Sequence, residues 1–166
     1  VMSYYNRVVT RKNLGLYKRI KEQDRLEEEL VRLRAQTKGE TEPETPLPGD
    51  RQQRELVGRL REYLLTGDNL SNADVGRDEI TTALGTNKNT LTDAVRAVTG
   101  QTPMEYLRGM RLDEARRMLD SHPELTIEAV AFSCGFSIPS TFYRLFRRQW
   151  GISPAEYRKM AESQRA

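Results

Sequence analysis

The side chains best placed to do chemistry in this 166-residue chain are two groups of mixed polar residues at helical spacing. Asn89, Thr92, Asp93 and Arg96 form the first group; Ser140, Tyr143, Arg144 and Arg147 form the second with the same intervals. At about 100° per residue each group falls on one face of a helix. An α-helix fits the major groove of duplex DNA. There an Asn reads adenine, an Arg reads guanine or a phosphate, a Thr meets the thymine methyl and an Asp accepts from cytosine. A single polar face is the ordinary condition of a surface helix. Two equivalent faces at one repeat distance point to a shared task.

Other chemistries find little to work with. One Cys and one His cannot build a zinc site or a supported nucleophile. The stretch GTNKNT at 85–90 lacks the spacing of a phosphate-binding loop, and no paired acids suggest a catalytic pocket. The expectation is a non-enzyme with no catalytic residue, no metal and no cofactor. Cys134 lies in the apolar stretch AVAFSCGF, has no partner for an internal disulfide, and reads as a small core residue of a cytoplasmic protein. No run of about 18 apolar residues suggests a membrane span, and there is no secretory signal.

The elements that carry the two faces come from an internal duplication. Ile80–Gly85 corresponds to Val130–Gly135 at an offset of 50, and Leu91–Tyr106 to Phe142–Tyr157 at 51. The words GQTPMEY and GISPAEY close the two copies. Each copy reads as a short helix, a glycine turn, a longer helix, and a Thr-Pro or Ser-Pro that opens another helix with Pro in its first turn. That is the outline of a helix-turn-helix, although generic helical hairpins share it. Lys88 opens the longer helix of the first copy. Leu91, Ala94, Val95 and Val98 form the inner stripe of that helix, and Phe142, Leu145 and Phe146 that of its counterpart. In the first short helix, Ile80, Ala83 and Leu84 are expected inside.

Between the copies, Pro103 to about Leu119 reads as one helix of about 25 Å at 1.5 Å per residue. Such a rod could set two recognition helices near the ~34 Å of one DNA turn. Arg111 sits on its apolar stripe with Met104, Leu107, Ala115 and Met118, and a charge there needs a partner. A carboxylate inside the domain or a DNA phosphate would serve. Upstream, Leu56, Val57, Leu60, Tyr63 and Leu64 mark an amphipathic helix ending near Thr66–Asn69.

The N-terminal part differs in character. Leu16, Leu26, Leu30 and Leu33 occupy coiled-coil positions among alternating charges, with polar interruptions at Arg19 and Gln23. A parallel dimer is expected from them, a solvated single helix being the other reading. Residues 37–50, with three prolines, two glycines and four acids, read as a flexible linker. The net charge is +3, unevenly spread: residues 50–80 carry five arginines against seven acids, and residues 138–160 five basic residues against one acid.

The stretch IEAVAFSCGFSIPSTFYRLFRRQWGISPAEYRKM resembles the signature of the AraC/XylS family of bacterial transcription regulators, with Gly135-Phe136, Phe142, Phe146, Gly151, Pro154 and Tyr157-Arg158 at signature positions. YLRGMRLDEARRML resembles the family's connecting helix, and the likeness covers about residues 52–160. The resemblance implies two DNA-reading subdomains in successive major grooves of double-stranded DNA, usually to recruit RNA polymerase as an activator. By position, base and backbone contacts would fall on Asn89, Thr92, Asp93 and Arg96 and on Pro139, Ser140, Tyr143 and Arg144. Asp93 stands where relatives often carry a basic or neutral residue, and would repel phosphates. Pro139 offers neither a donor nor a polar side chain.

The resulting expectation is an all-α protein. An N-terminal coiled-coil helix at 1–36 and a linker at 37–50 precede a DNA-binding domain at 51–163, whose first helix-turn-helix spans about 78–98, connecting helix about 103–120 and second helix-turn-helix about 126–150. The DNA-binding residues expected are Lys88, Asn89, Thr92, Asp93, Arg96, Pro139, Ser140, Tyr143, Arg144 and Arg147. Nothing here has the strand alternation of an effector-binding barrel. The chain also begins at Val1, so a sensor domain is expected upstream, outside this chain, as part of a larger regulator. The first 30 residues resemble the cytoplasmic stub that follows a membrane span in membrane-anchored sensor-regulators, which would tether the full-length protein to the inner membrane. A dimeric signal-relay or protein-interaction module is the alternative function.

Overall fold

The computed structural model describes residues 2–36 and 49–165, which form eight α-helices and no strand. They are α1 (Met2–Gln36), α2 (Arg51–Leu65), α3 (Arg77–Leu84), α4 (Lys88–Thr99), α5 (Pro103–Ser121), α6 (Ile127–Ser133), α7 (Pro139–Trp150) and α8 (Pro154–Arg165). The described residues divide into two compact units, 49–142 and 2–36 with 143–165, the division falling inside α7. Of the expected linker, all but Gly49 and Asp50 lie outside the described residues. Asp50 is itself structural. Its carboxylate accepts from the Gln53 N–H at 2.8 Å while the Gln53 side chain accepts from the Asp50 N–H at 2.9 Å, a reciprocal cap that starts α2.

Within residues 49–142, α2 packs along α4 and closes the first core: Val57, Leu60, Leu64, Val75, Ile80, Leu84, Leu91, Ala94, Val95 and Leu107. The inner stripe of α3 differs from the sequence expectation. Ile80, Thr81 and Leu84 are buried and Ala83 is exposed. On so short a helix the buried arc is centred between Ile80 and Thr81, and the Thr81 hydroxyl lies 3.0 Å from both the Arg77 and Asp78 carbonyls of its own helix. That satisfies its polar atom without a partner elsewhere. Further along, α6 packs on α5, where Leu112, Ala115, Leu119, Val130, Ala131 and Cys134 are all buried. The Phe136 and Phe142 rings pack 5.2 Å apart, tilted by 52°.

In the other unit, α1 lies along α8. Tyr17 and Ile20 are buried, and the Tyr17 ring is 5.3 Å from that of Tyr157, which is wholly buried. Tyr157 also meets Phe146 edge-on at 5.7 Å, and Phe146 meets Trp150 at 4.3 Å. The Lys21 ammonium stands 5.8 Å from both tyrosine rings. Leu16 packs at the turn after α7, where a Cβ on Gly151 would come within 3.3 Å of its Cδ1. The leucine stripe of α1 is therefore divided. Its first member faces the α7–α8 turn, whereas Leu26, Leu30 and Leu33 are 50%, 53% and 50% exposed.

Leu91, fully buried on the inner face of α4, tests the first core. Leu91→Ala is expected to lower stability by about 2–5 kcal/mol and Leu91→Met by less than about 1.5 kcal/mol, read by urea denaturation followed by far-UV circular dichroism.

Candidate nucleic-acid interface

The two polar faces stand on turns built the same way. In the first, Gly85 adopts φ 62° and the Thr86 N–H reaches back to the Thr81 carbonyl at 3.0 Å. In the second, Gly135 adopts φ 79° and the Phe136 N–H reaches the Ala131 carbonyl at 3.0 Å. Both bonds close the preceding short helix with the left-handed residue that only glycine adopts without strain. Arg59 of α2 steadies the first turn by donating to the Leu84 carbonyl at 2.7 Å.

The far ends of α4 and α7 also match. The Gly100 N–H bonds the Arg96 carbonyl at 2.9 Å, and the Gly151 N–H bonds the Arg147 carbonyl at 2.8 Å. The next helix starts in both places with a reciprocal cap. Thr102 N–H and hydroxyl donate to Glu105 Oε2 at 2.8 Å each, and Ser153 N–H and hydroxyl to Glu156 Oε2 at 2.8 and 2.7 Å.

Between these matched ends the ten residues expected from sequence fall into five pairs at the 51-residue offset: Lys88 with Pro139, Asn89 with Ser140, Thr92 with Tyr143, Asp93 with Arg144, and Arg96 with Arg147. Lys88, Asn89, Asp93 and Arg96 are exposed on α4 and Thr92 is half-buried; Ser140, Arg144 and Arg147 are exposed on α7, with Pro139 and Tyr143 half-buried. Each helix thus brings its five residues to one face. Thr92 donates its hydroxyl proton to the Lys88 carbonyl at 2.7 Å. Lys88 is not a free cation, because its ammonium pairs with Asp78 of α3 at 2.5 Å. The sequence reading missed Asp78 and Arg59. Asp78 could have been found, as an acid in the first turn of the short helix of a helix-turn-helix. Arg59 could not, since its target is a backbone carbonyl.

Arg111 finds neither a carboxylate nor solvent. It is 6% exposed, and its Nε–H and Nη2–H donate to the Leu70 and Asn72 carbonyls at 2.8 and 2.6 Å. Burial lowers its pKa, the neighbouring Arg108 lowers it further, and Cys134 opposes the shift. Cys134 is buried as expected, its Sγ 3.5 Å from Met118 Sδ. Burial, and then the charge of Glu114, push its thiol up to about 12. Among the described residues no group of acids, histidine and cysteine could hold a metal ion, and no helix is long and apolar enough to cross a membrane.

Two paired turns, two matched helices and two equivalent exposed faces define a tandem helix-turn-helix module. Residues 80–160 match the family described as a helix-turn-helix domain. The helix-turn-helix-type transcriptional activator RhaS of Escherichia fergusonii is 43% identical over 70 residues, 42% of this chain and 25% of its own length. RhaS of Escherichia coli is 35% identical over 86 residues, 52% of this chain and 31% of its own. The chain thus spans about a quarter to a third of the curated relatives it matches. Among solved structures, the DNA-binding domain of the transcription factor AdpA in complex with a target DNA is 27% identical with a TM-score of 0.57, covering 68% of this chain and 95% of that one. A probable AraC family regulator from Rhodopseudomonas palustris is 27% identical with a TM-score of 0.56, covering 64% and 97%. Over residues 80–160 the chain is similar to the helix-turn-helix DNA-binding domains of transcription regulators, a probable AraC family member among them.

The Cys134 thiol supplies a pH test. A folded thiol that keeps its proton up to about pH 12, against 9.0 for an ordinary one, contributes stability that is complete below about pH 9 and lost as pH rises toward 12. Wild type is expected to lose more stability than Cys134→Ala between about pH 8 and pH 11, measured by denaturant midpoints.

Proposed function

We propose that this chain binds double-stranded DNA sequence-specifically and activates transcription, with α4 and α7 entering successive major grooves. The observation that carries the reading is the pairing of five exposed or half-exposed positions on α4 with five on α7, each set framed by the same glycine turn and the same capped exit. The AdpA domain bound to its target DNA and the activators among the relatives support it.

The two faces would work differently. On α7, Arg144 and Arg147 supply guanine or phosphate contacts, Ser140 and Tyr143 add hydroxyls, and Pro139 contributes shape. On α4, Asn89 suits adenine and Arg96 guanine or phosphate. Thr92, its hydroxyl proton held by its own helix, offers a methyl for thymine. Asp93 disfavours phosphate and accepts from cytosine. Asp78 holds Lys88 beside this face, where a phosphate would compete for the ammonium. The second reader therefore supplies more affinity and the first more discrimination. No enzymatic step belongs to this function, and its place is the cytoplasm.

RNA polymerase is the partner proposed for activation. A second copy of this chain would join through α1, whose exposed Leu26, Leu30 and Leu33 continue a heptad spacing. Two tethered modules would then raise DNA affinity through effective concentration. The same exposed leucines also favour an interaction module that docks partners without reading DNA.

Sequences selected from random DNA, followed by gel shifts over a salt series, test the DNA reading. Wild type is expected to bind its selected site with a steep salt dependence. Arg144→Ala should weaken that binding by about 1–3 kcal/mol, and a change at a phosphate contact should reduce the salt slope by about one. Regulation that survives Arg144→Ala with Arg147→Ala while partner docking fails would favour the interaction module. Sedimentation with and without residues 1–36 is expected to show a dimer only when they are present; a monomer in both refutes the coiled-coil proposal.

A further inference from the structure

We infer that Arg111 is a positioning residue for DNA reading: its guanidinium clasps the loop that leads into α3 and the turn that launches α7, fixing the register between the two helix-turn-helix turns. The inference rests on the proposed DNA-binding function and assigns that function a buried residue that belongs to neither exposed face.

Three segments distant in sequence meet at this side chain. Arg111 comes from the middle of α5. Its two hydrogen bonds go to carbonyls 41 and 39 residues earlier, in the loop between α2 and α3. On its other side lies Gly135. A Cβ there would stand 2.9 Å from Arg111 Nε, 3.0 Å from Arg111 Cζ and 3.0 Å from the Leu70 carbonyl oxygen. Any side chain at position 135 would have to displace the guanidinium or the loop backbone. The glycine that makes the second turn possible is therefore also the one that lets that turn press on the clasp.

The loop end of the clasp is coupled to the first reader. The Asn72 carbonyl takes the Arg111 bond and also the Val75 N–H at 3.2 Å, and Val75 is buried in the first core. One residue later Gly76 begins α3, its N–H held by Glu79 at 3.0 Å. Rotation of this loop would carry α3 with it. The α7 end is as direct, since Gly135 and Phe136 close α6 and the Phe136 ring packs at a tilt against Phe142 of α7.

Arginine is required by geometry as well as by charge. Two carbonyls of one loop must be met by two donors in a fixed plane, and the side chain must be buried. Lysine keeps the positive charge and much of the stem, but it presents one ammonium and cannot bridge both carbonyls while holding a plane against Gly135. With 6% exposure and donors already turned to carbonyls, Arg111 is not itself a phosphate contact.

The test compares wild type with Arg111→Lys, Arg111→Gln and Gly135→Ala as full chains, at a temperature where circular dichroism shows each folded. Four DNA probes are used: the selected paired site, the site with either half scrambled, and the site with one base pair added between the halves. Wild type is expected to prefer the paired site strongly and to reject the lengthened one. In Arg111→Lys and Arg111→Gln that preference should fall about tenfold while affinity for single halves stays near wild type. Amide exchange at residues 70–76 and 135–138 should rise together. Gly135→Ala should behave alike, which keeps the inference exposed if an Arg111 variant fails to fold. Folded variants with wild-type preference and wild-type spacer rejection overturn it. So does an equal loss on all four probes, the mark of lowered stability alone. Wild type that binds no DNA selectively overturns the function proposed above and this inference with it, whereas unchanged variants beside a selective wild type overturn the clasp alone.

Discussion

The chain turns from α3 into α4, and from α6 into α7, through one backbone bond that spans five residues, Thr86 to Thr81 and Phe136 to Ala131, and that bond closes only around a left-handed residue. The direction of α4 and of α7, and so which side chains reach outward, follows from it. Much of the surrounding structure keeps these bonds in place. Arg59 holds the carbonyl at the end of α3, and the buried Cys134 closes α6 beside Met118. The reciprocal caps at Thr102 and Ser153 define where the helices after α4 and α7 begin. The outward faces are left free to vary because none of these groups belongs to them.

That freedom shows in how the two copies have diverged. The pairs at the 51-residue offset keep Arg96 with Arg147 but set Asp93 against Arg144 and Lys88 against Pro139. A scaffold whose turns and helix exits are repeated thus carries two different electrostatic surfaces, one of mixed sign and one basic. On the proposed DNA-reading function, specificity and affinity would be adjustable separately in such a molecule, since the side chains of the two outward faces take no part in either turn bond.

The duplication was legible because its marks are local: a glycine after an apolar helix, a hydroxyl and a proline before the next, and polar positions repeated three, one and three residues apart. Those marks placed α3 to α8 and both faces. What escaped the sequence involved groups without a pattern. The partners of Arg111 are carbonyls, which every residue owns, so neither a carboxylate nor a phosphate had to be the answer. Thr81 replaced Ala83 in the core because a hydroxyl that bonds its own helix is tolerated there and an eight-residue helix gives too few positions to fix its face. Tyr17 and Ile20 lie off the leucine stripe of α1, and nothing near them in sequence announces a partner in α8.

The seating of Tyr17 against Tyr157 bears on the order in which the protein can form. Its two segments are separated in sequence by the whole of the other unit, whereas the first core is assembled from helices that follow one another closely. Bringing such distant segments together carries a closure entropy of about 4 kcal/mol, against much less for the short connections between α2 and α5. On a chain growing from its N-terminus, α1 must wait, with Tyr17 and Ile20 uncovered, until α8 has been made. The core beneath α4 can be complete before that around Tyr157 is finished.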